Sequence, residues 1–236
     1  MKCYRRLKPF KAISFDLDDT LYDNRPIIIK AEQQSFDYLR QQDPRLARLT
    51  KQQWFDYKQQ VLALDAALVG DVTAWRLAAL QAIFVELKVA EPAQMAQQVF
   101  EYFLHVRSDF TVPAASLDVL NRLAQVYPVI AITNGNVNLA QIGLDHAFSL
   151  VLKAGDGLRA KPYIDMFAYA ANHLNIEIAD ILHVGDHLTT DVLGAKANGA
   201  QAIWFNDQGH QLRTHQDSRM LPDIEMTHLS QLLNLL

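Results

Sequence analysis

Residues 14–22 read SFDLDDTLY. The stretch closes a short apolar run, Ala12, Ile13 and Phe15, and sets Asp16, Asp18 and Asp19 almost side by side. Carboxylates at the end of a buried strand repel one another and resist burial. The cluster therefore needs a cation among its members or a proton on one of them. Asp16 and Asp18 are two residues apart, so on an extended backbone their side chains face the same way. One can attack an electrophile while the other handles a proton. An acidic turn after a strand is the plainer alternative, and the rest of the chain has to decide between the two.

Beyond residue 113 short apolar runs alternate with helical patterns. Strands are expected at 11–15, 129–132 (VIAI), 150–152, 181–184, 202–205 and 224–226, and helices at 114–124, 139–142, 163–174, 188–197 and from 228 onward. Continuous apolar runs of this length, separated by helices, are the pattern of a parallel sheet buried on both faces. The fold class expected is α/β, a doubly wound parallel sheet. In such sheets ligands bind beyond the carboxyl ends of the strands, where the strand order reverses. Asp16 and Asp18 follow the first strand, Thr133 the second and Asp186 the fourth, and Lys161 is expected to start a helix after the third.

The block between is different. Ile27, Ala31, Phe36 and Leu39 recur at helical spacing. Asp43-Pro44 looks like a cap with proline in the first turn, Thr50 and Gln53 have the capping-box form, Asp71 precedes a further helix, and Pro92 opens another. An all-helical insertion is expected at 23–109, with the α/β core at 1–22 and 110–236.

Of the 236 residues half are apolar, and the formal net charge is −4. That balance gives no reason to expect nucleic acid or an anionic membrane as partner. No stretch is long and apolar enough to span a bilayer, and Asp16 interrupts the apolar run after the basic start, so a cytoplasmic protein is expected. The one cysteine, Cys3, excludes an internal disulfide and a thiolate zinc site within the chain. His183 and His187 flank a strand-to-helix break, and His210 and His215 have no third ligand nearby, which argues against zinc.

The acids point to phosphate chemistry with magnesium. Carboxylate and carbonyl oxygens are the hard ligands that ion prefers, and Asp186 can complete such a set. Two unit charges about 4 Å apart interact by roughly 4 kcal/mol at an effective dielectric near 20. A phosphate dianion entering among aspartates therefore needs cations, which magnesium and Lys161 would supply. Thr133 and the backbone donors after it can hold phosphoryl oxygens.

These residues resemble the haloacid dehalogenase-like hydrolases. Asp16-Leu17-Asp18-Asp19-Thr20 resembles that family's first motif, Thr133 its second, Lys161-Pro162 its third, and Gly185-Asp186 through Asp191 its fourth, in order and after the matching elements. The resemblance implies a Rossmann-like core with a helical cap between the first and second motifs. It implies Asp16 as nucleophile forming an aspartyl-phosphate and Asp18 as general acid and base. Thr133, Asn134 and Lys161 would hold the substrate phosphate. Magnesium would lie on Asp16, the Asp18 main-chain carbonyl and Asp186, with Asp191 positioning a ligand water or steadying Lys161. Asp18 also discriminates within the family, because a halide leaves without a proton and the dehalogenases lack this aspartate.

DLDDTLYDNRP, DVTAWR, ITNGN and HVGDHLTTD, beginning at residues 16, 71, 132 and 183, are together similar to a bacterial subgroup. Its members act on flavin mononucleotide and on 5-amino-6-(5-phospho-D-ribitylamino)uracil, an intermediate of riboflavin synthesis. The chain departs from that pattern at His187, where close relatives carry a second aspartate. Trp75 and Arg76 would then contact substrate. The partner expected is a small phosphorylated metabolite, and the protein is expected as a monomer or homodimer. A phosphomutase keeps both aspartates and stays open on the motifs. A receiver-type signalling domain shares acids, Thr and Lys, but its phosphoacceptor follows a later strand and it has no helical insertion.

Overall fold

The apolar runs and the short segment 2–3 assemble into one seven-stranded sheet, ordered 2–3, 224–226, 201–205, 181–185, 12–15, 129–133, 150–153. The computed structural model describes residues 1–155 and 157–236. The strands are β1 (Lys2–Cys3), β2 (Ala12–Phe15), β3 (Val129–Thr133), β4 (Leu150–Lys153), β5 (Ile181–Gly185), β6 (Gln201–Phe205) and β7 (Ile224–Met226). All neighbouring pairs are parallel except β1 with β7. Strand β2 is buried at every residue and lies between β3 and β5. The chain steps from β2 outward to β3 and β4, then returns to β5 on the other side. The reversal puts the carboxyl ends of β2 and β5 next to each other, with Phe15 opposite Val184.

Helices α5 (Ala114–Leu123), α6 (Asp165–Leu174) and α7 (Gly194–Ala197) belong to the same unit. Ile130, Ile132, Met166, Phe167, Ile181, Val192 and Trp204 lie in one apolar cluster, each essentially without solvent contact. Burying a large apolar side chain contributes about 1.5–3 kcal/mol, so such a cluster holds the strand ends in register.

The chain divides into two compact units, Met1–Asp23 with Thr111–Gly135 and Gly143–Leu236, and Asn24–Phe110 with Asn136–Ile142. The second is helical: α1 (Arg25–Gln41), α2 (Lys51–Leu64), α3 (Val72–Glu86) and α4 (Pro92–Arg107). The capping signals are realised there. Thr50 and Gln53 form a reciprocal box at the start of α2, Asp71 accepts from the backbone of Thr73 and Ala74, and Asp43 caps a short 3₁₀ turn at Pro44–Arg48. The four helices close around Leu80, Ile83, Phe84, Val99 and Phe103. Among the described residues no helix is long and apolar enough to cross a membrane.

Three local expectations are corrected. Residues 139–142 form turns, not a helix, and count with the helical unit, where Asn136 donates to Thr73 Oγ1 at 3.1 Å and Asn138 N–H to Ser108 Oγ at 3.0 Å. The helix expected at 188–197 is a π-type turn, Leu188–Leu193, running into α7, and the one from 228 onward is a 3₁₀ run, Leu229–Leu235. Strand β1 has no counterpart in the sequence reading.

Candidate active site

Asp16 is the first residue beyond β2, and its N–H still donates to Val184 O at 2.9 Å, so the sheet fixes its backbone. The chain then turns sharply, with the N–H groups of Thr20 and Leu21 both donating to Leu17 O and Asp19 at φ 56°. The turn brings the Tyr22 hydroxyl to Asp18 Oδ1, where it donates at 2.7 Å. Asp18 and Asp16 thus leave one turn with different partners.

Lys161, expected to start a helix, instead reaches the same place from the loop before α6, which begins only at Asp165. Its ammonium donates to Asp16 Oδ1 at 2.9 Å and to Ile132 O at 2.6 Å, and lies 2.7 Å from Asp191 Oδ1. Three protons meet three acceptors, and the side chain is 1% exposed. Asn134 clasps the Lys161 backbone from both sides, its amide donating to Lys161 O at 2.9 Å and its carbonyl accepting from Lys161 N at 2.8 Å. Thr133, buried at the end of β3, accepts the Gly135 N–H on Oγ1 at 3.0 Å.

Asp186 follows β5, with its main-chain carbonyl held by the Trp204 indole N–H at 2.7 Å and its Oδ1 accepting from Thr20 at 3.3 Å. Asp191 folds back over the end of that strand. A Cβ at Gly185 would lie 2.3 Å from Asp191 Cγ, so only glycine admits this carboxylate. Asp191 Oδ2 accepts the His187 N–H at 2.9 Å, and Oδ1 faces His183 Nε2 at 3.3 Å as well as Lys161.

Asp16, Asp186 and Asp191 each offer an oxygen within 4.8 Å of the other two. Burial pushes the Asp16 carboxyl up to about 7, against the pull of Lys161 and with the Asp191 and Asp18 charges adding to the push. Burial, then repulsion from Asp191, Asp16 and Asp19, pushes Asp186 up to about 8. Burial also disfavours the Asp191 charge, but Lys161 and His183 outweigh it and hold that carboxyl well below its ordinary range. Lys161 is held above its ordinary value because Asp16 and Asp191 overcome the effect of burial. Burial and the Lys161 charge bring His183 down to about 4 against the opposing hydrogen bond to Asp191, so the ring is neutral near pH 7.

The donor set fits magnesium, with hard oxygens converging and two of the three carboxylates short of a counter-charge. A pH dependence follows. Without metal, folded Asp16 and Asp186 keep protons up to about pH 7 and about pH 8 that unfolded carboxyls, with ordinary values of 3.8, have released. Stability therefore falls as pH rises through that range. His183 acts oppositely, but only between about 4 and its ordinary 6.5. From pH 6.5 to 8 the acids decide, and added magnesium competes with their protons. Magnesium is expected to raise the melting temperature more at pH 8 than at pH 6. Equal shifts in thermal unfolding, or none, would put the cation elsewhere.

His187 has a local role. Its Nδ1 accepts the backbone N–H groups of Thr189 and Thr190 at 3.2 and 3.3 Å, which caps the π-type turn as an aspartate there would. Trp75 and Arg76 lie in the helical unit. The Trp75 indole donates to Lys58 O at 2.7 Å, and Arg76 pairs with Glu32 and stacks 3.5 Å over the Phe103 ring. Ser14, Tyr22 and Trp204 contribute to the site with no role expected from the sequence, and His183 contributes other than as a metal ligand. The signal was available at two of them, a serine and a histidine inside otherwise apolar strands.

The family model for haloacid dehalogenase-like hydrolases matches residues 10–199. The chain belongs to that family. It is 38% identical over 238 residues, the whole of both chains, to the 5-amino-6-(5-phospho-D-ribitylamino)uracil phosphatase YigB of Escherichia coli. It is 30% identical to a phosphoglycolate phosphatase of Neisseria gonorrhoeae, over 90% of this chain and 87% of that one. Among solved structures, a 2-haloacid dehalogenase of Pseudomonas syringae pv. Tomato superposes with a TM-score of 0.88 at 32% identity, over 96% of this chain and 97% of the other.

Proposed function

We propose that this phosphoric monoester hydrolase cleaves a small phosphorylated metabolite through an aspartyl-phosphate on Asp16, with 5-amino-6-(5-phospho-D-ribitylamino)uracil as its substrate and flavin mononucleotide as a second. The observation that carries this reading is the meeting of Asp16 with Lys161 at the carboxyl ends of β2 and β5, two residues before Asp18.

An Asp16 carboxylate oxygen attacks phosphorus as the ester oxygen departs. Asp18, oriented by Tyr22, gives its proton to the leaving alkoxide. Asp18 then takes a proton from the water that attacks the acyl phosphate, which releases inorganic phosphate and restores Asp16. Lys161 neutralises phosphoryl oxygens, and Thr133 presents the loop whose N–H groups receive them. Asn134 serves by fixing the Lys161 backbone. Asp16, Asp186 and the Asp18 carbonyl would hold magnesium, which when bound offsets the charge of dianion and carboxylates together. With both its oxygens already engaged, Asp191 steadies Lys161.

The likeness to a 2-haloacid dehalogenase supports a second reading, halide displacement on the same aspartate. Asp18 speaks against it, since an alkoxide needs a proton to leave and a halide does not. In this reading the helical unit selects the substrate. Trp75 and Arg76 shape that unit, with their polar groups engaged inside it. The test is a substrate panel with magnesium: the ribitylamino-uracil phosphate, flavin mononucleotide, phosphoglycolate, sugar phosphates and a 2-chloro acid. The first is expected to lead in kcat/KM by about tenfold or more. A lead by another phosphate ester would overturn the substrate, and chloride release would overturn the reaction.

A further inference from the structure

Ser14 and His183 are polar residues inside strands that are otherwise apolar, and both are 0% exposed. Burying a hydroxyl and an imidazole is costly unless each finds a partner, and isoleucine or leucine would pack these positions without that cost. The two residues are paired across β2 and β5, with Ser14 Oγ 2.8 Å from His183 Nδ1. The other ring nitrogen, Nε2, lies 3.3 Å from Asp191 Oδ1. That oxygen is also the one 2.7 Å from Lys161 Nζ, and Lys161 donates to Asp16 at 2.9 Å. The Phe167 ring meets the imidazole edge-on at 5.2 Å between centroids and limits its rotation. An unbroken buried line thus runs from Ser14 to the residue read as nucleophile.

We propose that His183 is a positioning residue for Lys161, donating its Nε2–H to Asp191 so that the carboxylate stays turned toward the ammonium. Asp191, which can only accept, fixes the ring proton on Nε2, and the Ser14 hydroxyl donates to Nδ1, so both ring nitrogens are satisfied and the ring is held in place. Asp191 is then held at both oxygens, by His183 on one and by the His187 N–H on the other. The carboxylate cannot rotate, and Lys161 keeps its aim at Asp16 and at the phosphate that Asp16 receives. Fully buried, His183 reaches substrate only through Asp191 and Lys161. The inference rests on the proposed phosphate-handling roles of Asp16 and Lys161.

Two substitutions separate positioning from mere packing. His183→Phe keeps the ring volume and removes both hydrogen bonds, whereas His183→Gln keeps a donor near the Nε2 position. In His183→Phe the inhibition constant of inorganic phosphate and the KM for para-nitrophenyl phosphate are expected to rise by about tenfold, with kcat also reduced. In His183→Gln both constants should return to within about threefold of the parent. These constants do not depend on how much of the sample is folded. A His183→Phe variant with lower kcat but unchanged constants would overturn the inference and leave His183 as packing. Should that variant fail to fold, Ser14→Ala and long-range ¹H–¹⁵N spectra carry the test. The parent ring is expected with its proton on Nε2, and Ser14→Ala, which leaves Nδ1 without its donor and frees the ring to turn, should weaken phosphate inhibition. A proton on Nδ1 in the parent would overturn the inference. The roles of Asp16 and Lys161 are tested separately by turnover in Asp16→Asn and in Lys161→Met, which the His183 variants do not touch.

Discussion

Asp16→Asn is expected to lower magnesium-dependent phosphate release from para-nitrophenyl phosphate by about three orders of magnitude or more. An amide has no anionic oxygen to attack phosphorus, and no other carboxylate takes its place. Asp191 is engaged at both oxygens, and Asp186 is assigned to magnesium. The fold should survive, because Lys161 keeps Asp191 and the Ile132 carbonyl as acceptors. Turnover near the parent rate in a folded Asp16→Asn protein would end the nucleophile assignment. So would a phosphorylated peptide that maps to any residue but Asp16 after rapid quenching of the parent.

The second large effect belongs to Lys161. With its side chain 1% exposed and three acceptors around the ammonium, its charge is compensated almost wholly by protein. Lys161→Met keeps the length and the packing but leaves Asp16 and Asp191 facing each other in a dry site. Removing one partner of a buried pair typically costs about 3–5 kcal/mol, and urea unfolding at pH 7 should show a loss of that order. Activity should fall by about 10²–10³-fold through the lost stabilisation of phosphoryl charge. An unchanged unfolding midpoint would mean that Lys161 does not hold the two acids together.

The sequence reading went furthest where one local rule governs. Strands such as VIAI at 129–132 are apolar throughout because both sheet faces are covered, and they are found where expected. Capping residues Thr50 and Asp71 act within their own turns, so nearby sequence suffices to read them. It failed where distant partners decide. β1 is two exposed residues whose only reason to be extended is β7, more than two hundred residues on. Residues 139–142 have helical apolar spacing, but too few of them to pay for nucleation, and Gly143 turns the chain at φ 78°.

The site divides in the same way. Asp16, Thr133 and Asp186 stand out in the sequence because each ends or follows a strand, and Lys161 and Asp191 because of their order after those strands. That Asn134 would grip a backbone, or that His187 would cap a turn, depends on where loops from different parts of the chain meet. No periodicity records that. The buried Ser14–His183 pair left a trace only in being polar where its neighbours are not.

The position of β2 inside the sheet, between two later strands, also has a consequence during synthesis. Ser14 meets His183 across 169 residues of chain, which a ribosome adding 5–20 residues per second needs roughly ten to thirty seconds to supply. The helices of Asn24–Phe110 emerge within that interval with mostly local contacts to make. Strand β2, made before both of its neighbours, waits with one edge unpaired until the β5 segment leaves the ribosomal tunnel. The nascent chain is thus most exposed to wrong pairing at the strand that ends in Asp16.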